Sequence, residues 1–406
     1  MKILYYASID FYSRPNGMFH LMTAMLEDIL KAGHSVHLVG CKEKGLEKHI
    51  PDNLAANAQF SYELAEIKPV KKSHFVRRYL SGIMYAIKTR KLIKKQKNKA
   101  DIIFVQSSPT VLYNIRNARK YAGRAKIIYN IQDMFPGSSI ASGVMKRRWM
   151  QKVFFALQKS AYKKADVITV ISEDMKRKVE EQGVLSDKIK VIVNWFDNTS
   201  VQYIEWEENR FVKKYELDKQ KFYVQYAGTM GYVFDYDMVL NVAKLLQEYA
   251  DIEFQMIGAG SQKQEFMSRA EELKLDNIKF LPLEPQEMVS DVYSACSVCF
   301  IPLKKDVIGN SVPSKAGLLM ACKKPIVSSV DENSDYFNMI NENKFGYAVG
   351  TDKPEDAAGA LLKLYQDREL CKEYGENGYK YGHDLYSRDK NMKEYLDLFC
   401  ELAEKR

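Results

Sequence analysis

Polar and charged residues cluster where apolar, β-branched runs stop. The run AKIIYNI ends in Gln132 and Asp133, followed by Met-Phe-Pro-Gly. A carboxylate at that point could orient a hydroxyl or take its proton. Gln132 offers both a donor and an acceptor. A turn or helix-capping role is the plain alternative for Asp133. KFYVQYAG runs into Thr229, Met230 and Gly231, so Gly228 and Gly231 bracket one turn, and IEFQMIGAG brings Gly258 and Gly260 to a second strand end. Two glycine turns at neighbouring strand ends let backbone N–H groups approach a phosphate-bearing ligand. SVCFIPL is followed by Lys304 and Lys305, then by Asn310, Ser314 and Lys315. Lys315 stands where an apolar helical segment begins. An ammonium there adds its charge to the free N–H groups of the helix start, a setting for a diphosphate. Asn16-Gly17 is a turn signal directly before a helix, able to hold an anion or a sugar hydroxyl. It is not a GxGxxG fingerprint, so no nicotinamide dinucleotide is expected.

Other candidates have simpler explanations. Asp235 and Asp237 have the spacing of a metal-binding pair but open a helix, where capping and the helix dipole account for both. No metal is expected. The loop SSVDENSD could bind ribose or sugar hydroxyls, or close a turn. The six histidines, at 20, 34, 37, 49, 74 and 383, form no constellation, and His34 and His37 bracket a core strand. Cys296 and Cys299 lie in a strand with no second pair nearby. Buried reduced thiols and a cytosolic compartment are therefore expected.

These residues need a scaffold that gathers strand ends. The 406-residue chain is long enough for two domains. Strand-like runs alternate with helical ones in both halves, which predicts two parallel sheets covered on both faces. The segment 196–220 breaks the alternation and is the expected interdomain region. The expected divisions are 1–198, 199–385 and a terminal helix over 386–406. Glycines 375, 378 and 382 are expected to interrupt the long C-terminal helical stretch. Ligands of doubly wound sheets bind beyond the carboxyl ends of the strands, where the residues above fall.

The net charge of +9 is unevenly spread. Residues 71–100 hold eleven Lys or Arg and no acid, and 145–165 hold seven and no acid. Apolar residues recur there at helical spacing: Phe75, Tyr79, Ile83, Ala86 and Ile87, then Trp149, Val153, Phe154 and Leu157. Core helices with solvated basic faces are one reading. The absence of acids favours an anionic membrane surface. No recognition motif accompanies the charge, so no nucleic acid partner is expected. No apolar run is long enough to span a bilayer, and the N-terminus opens as a strand rather than a signal peptide.

In combination, NGMFHLMTAMLEDILKAGHSVHLV, IQDMFP, YAGTMG, MIGAGSQ and VPSK…KKPIV make the chain resemble the retaining glycosyltransferases of family 4. The likeness is to the bacterial capsule, O-antigen and exopolysaccharide type with DxFP and PSK motifs, and it covers nearly the whole chain. The resemblance implies the α/β GT-B fold, with two Rossmann-like doubly wound domains facing across a cleft. It implies an N-terminal acceptor domain, a C-terminal donor domain and a last helix that crosses back to the first domain. It implies a metal-independent transfer from a nucleotide sugar, a UDP-sugar being favoured, to a lipid-linked saccharide, and no other cofactor. By resemblance, Asn16 and Gly17 lie in the loop over the transferred sugar, and Gln132 and Asp133 on the acceptor side. Gly228, Thr229 and Gly231 fall at the donor diphosphate, Gly258 and Gly260 beside the nucleotide, and Ser314 and Lys315 in the PSK motif. Asn310 and Leu318 occupy the positions of the two glutamates many members carry, and Lys323 replaces a usual glycine. A nucleotide-sugar epimerase and a non-catalytic partner in polysaccharide assembly are the alternative readings.

Overall fold

The computed structural model describes residues 1–7, 17–47, 50–68, 70, 75–121, 123–195, 201–312 and 315–405, with backbone only at 17–20, 75, 315 and 316. The chain divides into two compact units. The first comprises Met1–Ile140, Met145–Asn194 and Asp389–Arg406, and the second Ala141–Val144 and Trp195–Arg388.

The first unit is built on seven parallel strands: β1 (Lys2–Tyr6), β2 (Ser35–Glu43), β3 (Phe60–Ile67), β4 (Ile102–Gln106), β5 (Lys126–Asn130), β6 (Val167–Val170) and β7 (Ile189–Val191). Their spatial order is β3-β2-β1-β4-β5-β6-β7. The central strands are short apolar runs, buried throughout in β4 and from the second residue on in β1 and β5, as expected when helices cover both faces. The strand order reverses between β1 and β4, the point where such sheets open a crevice.

The second unit repeats the plan with β8 (Phe222–Ala227), β9 (Ile252–Ile257), β10 (Ile278–Leu281), β11 (Val298–Pro302), β12 (Ile326–Ser329) and β13 (Gly346–Val349). Their order is β10-β9-β8-β11-β12-β13, again parallel, with the reversal between β8 and β11. All six cysteines are free thiols, and all but Cys400 are buried.

The last helix, Arg388–Glu404, packs on the first sheet. The Asn130 side-chain amide donates to the Tyr395 hydroxyl at 2.9 Å. The rings of Tyr395 and Phe399 meet Phe104 edge-on, at 5.9 and 6.2 Å between centroids. One expectation fails in the stretch before it. Gly375, Gly378 and Gly382 do not interrupt the helix but lie within one continuous helix, Arg368–Leu385. They sit on its side facing helix Lys315–Ala321 and the turn at Lys323. A Cβ on Gly375 would fall on the main-chain carbonyl of Lys323, and one on Gly382 would lie 2.7 Å from the Met320 side chain. The glycines are there for close helix packing, which outweighs their low helix propensity.

The two basic segments form helices Phe75–Lys95 and Arg148–Lys164. Ile87, Trp149 and Val153 do not join the core face. Each is exposed, while Tyr85, Ala86, Thr89 and Ile93 supply the buried side of the first helix.

Candidate functional site

In the first unit, a polar network closes the carboxyl ends of β4 to β7. The Ser107 hydroxyl accepts from the Gln132 N–H at 3.0 Å. The Gln132 side-chain amide donates to Asn130 Oδ1 at 3.0 Å, and its Oε1 accepts from Asn194 Nδ2 at 2.7 Å. Asn130 in turn donates to Thr169 Oγ1 at 3.0 Å. Both ends of the Gln132 amide are therefore committed to the protein, which makes it a support for this surface. Asp133, the next residue, differs. Among the described residues its carboxylate has no hydrogen-bond or ion-pair partner. Solvent reaches its surface, yet the protein around it desolvates the carboxyl enough to raise its pKa above the ordinary carboxylate range. No neighbouring charge contributes to that shift. A carboxylate of this kind is available to a ligand hydroxyl.

In the second unit, the loops after β8 and β9 lie backbone against backbone. The Gly228 N–H donates to the Ile257 carbonyl at 2.8 Å and the Met230 N–H to the Ala259 carbonyl at 3.0 Å. Among the described residues, the alternate N–H groups of Thr229 and Gly231 donate to no protein acceptor. Gly258 holds φ at +141°, and a Cβ there would meet the Gly228 carbonyl; a Cβ on Gly260 would meet that of Met230. At Gly231 a Cβ would make only an ordinary 3.5 Å contact with Thr229. Packing between the loops therefore requires Gly258 and Gly260, whereas nothing in the protein requires Gly231. The Lys263 ammonium fastens the same corner by donating to the carbonyls of Gly258 at 2.7 Å and Leu281 at 3.2 Å.

Across the strand-order reversal, β11 leads into Lys304 and Lys305. The Lys304 N–H donates to the Val233 carbonyl at 3.1 Å, which holds this loop beside the Gly228–Gly231 turn. Asp235 caps helix Tyr236–Leu245, accepting from the Met238 N–H at 3.1 Å. Burial is the main cause of its raised pKa, opposed by that N–H and by Lys304. Asn310 is buried and its amide donates to the Asp306 carbonyl at 2.8 Å, bracing its own loop. Three polar residues of SSVDENSD are similarly occupied: Asp331 accepts from the Asp306 N–H at 2.9 Å, Glu332 pairs with Lys353 at 2.8 Å, and Ser334 caps helix Asp335–Glu342.

Lys315 is the first residue of helix Lys315–Ala321, and Gly17 the first of helix Gly17–Lys31. Asn16 and Ser314 lie outside the described residues. Leu318, on the helix that Lys315 opens, is half-buried. Among the described residues no group of three His, Cys, Asp or Glu is placed to hold a metal ion. Sequence reasoning missed Asn194 and Ser107. Each is a polar residue just beyond a strand end, the same signal that singled out Gln132.

Two families match the chain. Residues 15–199 match the family described as Glycosyltransferase Family 4, and residues 207–381 the one described as Glycosyl transferases group 1. A Pseudomonas aeruginosa protein named "Probable glycosyltransferase WbjE" is 24% identical over 306 residues, covering 74% of each chain. The O-antigen chain mannosyltransferase C of Escherichia coli is 19% identical over 330 residues, 80% of this chain and 82% of its own. Among solved structures, HepE of Anabaena in complex with UDP-glucose superposes with a TM-score of 0.73 at 13% identity, over 99% of this chain and all of its own. That likeness shows the fold, GT-B.

Proposed function

We propose that this chain, a glycosyltransferase of the GT-B fold related to enzymes of capsule, lipopolysaccharide and O-antigen biosynthesis, transfers a sugar from UDP to a saccharide carried on a polyprenyl diphosphate at the inner face of the cell membrane. The anomeric configuration is retained. UDP-glucose bound to a protein of the same fold supports the choice of donor.

The observation that carries the reading is the pair of N–H groups, Thr229 and Gly231, that find no protein acceptor among the described residues, at the strand-order reversal of the second sheet. The N–H groups of Gly228 and Met230 are consumed by the neighbouring loop, and a diphosphate is the ligand that a loop with free alternate N–H groups rewards. Gly231 leaves space for phosphate oxygens. As the bond between the sugar and UDP breaks, negative charge grows on the diphosphate. Lys315 and the two N–H groups then bind more strongly in the transition state than before it, which lowers the barrier. The chemistry needs no metal if these groups carry the charge.

In the first unit Asp133 holds the acceptor hydroxyl. It orients the oxygen, while the departing phosphate takes the proton on the same face of the sugar. Gln132, held by Asn130 and Asn194, keeps the segment of Asp133 in place. Asn16 and Gly17 bind the transferred sugar. Leu318 has no group for ribose hydroxyls, so the nucleoside is held by other contacts, with Gly258 and Gly260 beside it and Asn310 bracing its own loop through the Asp306 carbonyl.

Transfer is tested by following label from a UDP-sugar into a lipid-extractable product, with membranes supplying the acceptor. Label in that fraction supports the reading. A protein that turns over no nucleotide sugar while its partners in polysaccharide assembly depend on it would replace the reading with the non-catalytic one.

A further inference from the structure

Helices Phe75–Lys95 and Arg148–Lys164 each bury one face and leave a second apolar line in solvent. On the first, Val76, Leu80, Met84 and Ile87 follow helical spacing at 64%, 58%, 51% and 43% exposure. On the second, Trp149 and Val153 stand one turn apart at 63% and 49%. Isolated exposed apolar residues are ordinary; lines of them on two touching helices mark a contact surface. The helices meet through Tyr79 and Phe154, whose rings pack edge-on at 5.1 Å. Phe154 also packs against Phe135 at 5.1 Å, in the segment that carries Asp133. A continuous run of rings thus joins this surface to the acceptor side of the site.

Charge selects the partner. Neither helix contains an acid. Arg77, Arg90, Lys91, Lys152 and Lys159 are exposed around the apolar lines. Lys95 is already paired with Glu63 at 2.9 Å, so it does not count among them. Nucleic acid would use the cations and leave five aliphatic side chains and a tryptophan without a role. An anionic bilayer uses both: cations at the phosphates, apolar side chains at the boundary of headgroup and acyl chain. Among the described residues no helix is long and apolar enough to cross a membrane.

We propose that these two helices lie on an anionic lipid bilayer, with Leu80, Met84 and Trp149 inserted and the surrounding cations at headgroup level. The inference rests on the reading of a membrane-borne acceptor but not on the donor chemistry. It is tested with the full chain by co-sedimentation with vesicles of phosphatidylglycerol and phosphatidylethanolamine, against vesicles of phosphatidylcholine. The wild type is expected to bind the anionic vesicles. The combined variant Leu80→Ser, Met84→Ser, Trp149→Ser should lose at least about tenfold in partitioning. The variant Arg77→Gln, Lys91→Gln, Lys152→Gln should lose roughly fivefold for each cation removed. Both should keep the wild-type melting temperature and the wild-type release of UDP from a UDP-sugar, since all six positions are exposed and outside the site. Equal vesicle binding by the apolar variant would overturn the proposal and leave a plain polyanion surface. Tighter binding to duplex DNA than to vesicles would overturn it as well. A wild type that hydrolyses the donor yet ignores vesicles overturns the docking alone, whereas vesicle binding without nucleotide-sugar turnover overturns the catalytic reading alone.

Discussion

Gly258 and Gly228 lie backbone against backbone, so that a Cβ on Gly258 would fall on the carbonyl oxygen of Gly228. The two loops nearest the proposed diphosphate are therefore held by main-chain contact, with φ of +147° at Gly228 and +141° at Gly258. Gly258→Ala meets both a forbidden backbone conformation and a collision. A loss of about 1–3 kcal/mol is expected, which lowers the melting temperature by several degrees, at ~2–4 °C per kcal/mol. Donor affinity should fall with it, because the Thr229 and Gly231 N–H groups move. Thermal unfolding and donor titration on the same sample check both effects.

Gly375 sets the place of the helix that Lys315 opens. Its missing Cβ admits the Lys323 carbonyl at the end of that helix. Gly375→Ala should cost about 1–3 kcal/mol through overpacking against backbone and weaken donor binding although residue 375 touches no ligand. Gly359, in helix Pro354–Gln366, is the control, since nothing lies within 4 Å of a Cβ built on it. Gly359→Ala should stabilise by about 0.4–1 kcal/mol and leave donor binding unchanged. Equal effects from the two substitutions would contradict the packing role.

The alternation of strand and helix, and the positions of strand ends, were readable from residues alone because buried parallel strands are short apolar runs and their ends are marked by Gly, Asp or Lys. Long-range pairings were not readable. Nothing local joins Gln132 to Asn194, sixty-two positions apart. The Gly375–Gly382 stripe looked like helix breaks because propensity is local, while its cause, the approach of Lys323 and Met320, is tertiary. The helical spacing of Ala86, Ile87, Trp149 and Val153 left a core face and a membrane face both open for a related reason: spacing identifies a stripe but not what covers it, and only the structure shows Ala86 buried and the other three exposed. Asp235 could be read as a cap because capping is itself local.

Asp133 has a titration signature. Desolvation raises its folded pKa, so the folded state holds its proton more tightly than the unfolded chain does. The shift favours folding fully below the ordinary carboxylate value, and that advantage is lost as pH rises through the ordinary value to the raised one. At neutral pH the ionised group is thus a small burden on stability. Asp133→Asn should leave the melting temperature equal or slightly higher at neutral pH. Turnover should drop by about 100-fold, on the scale of losing the orientation of a reacting group, with donor affinity retained. The acid limb of the wild-type rate profile should lie above the ordinary carboxylate range and be absent in the variant. A variant as active as wild type would remove Asp133 from the site.

Lys315 is expected to act on the diphosphate and not on the sugar. Lys315→Ala should weaken binding of UDP and of a UDP-sugar alike, by about 10–100-fold for loss of one charged hydrogen bond, and should reduce turnover further. Calorimetric titration with both ligands checks this. Weakening confined to the UDP-sugar would move Lys315 from the diphosphate to the sugar.

The most direct measurement is a thermal-shift panel of UDP-, GDP- and CDP-sugars on the wild-type chain. A UDP-sugar at 100 times its dissociation constant should stabilise the fold by about 2.7 kcal/mol, with free UDP giving a smaller shift and the other two classes little. A well-folded sample that responds to no nucleotide sugar, or to a GDP- or CDP-sugar in place of the UDP form, would contradict the assignment of the second unit as a UDP-sugar site.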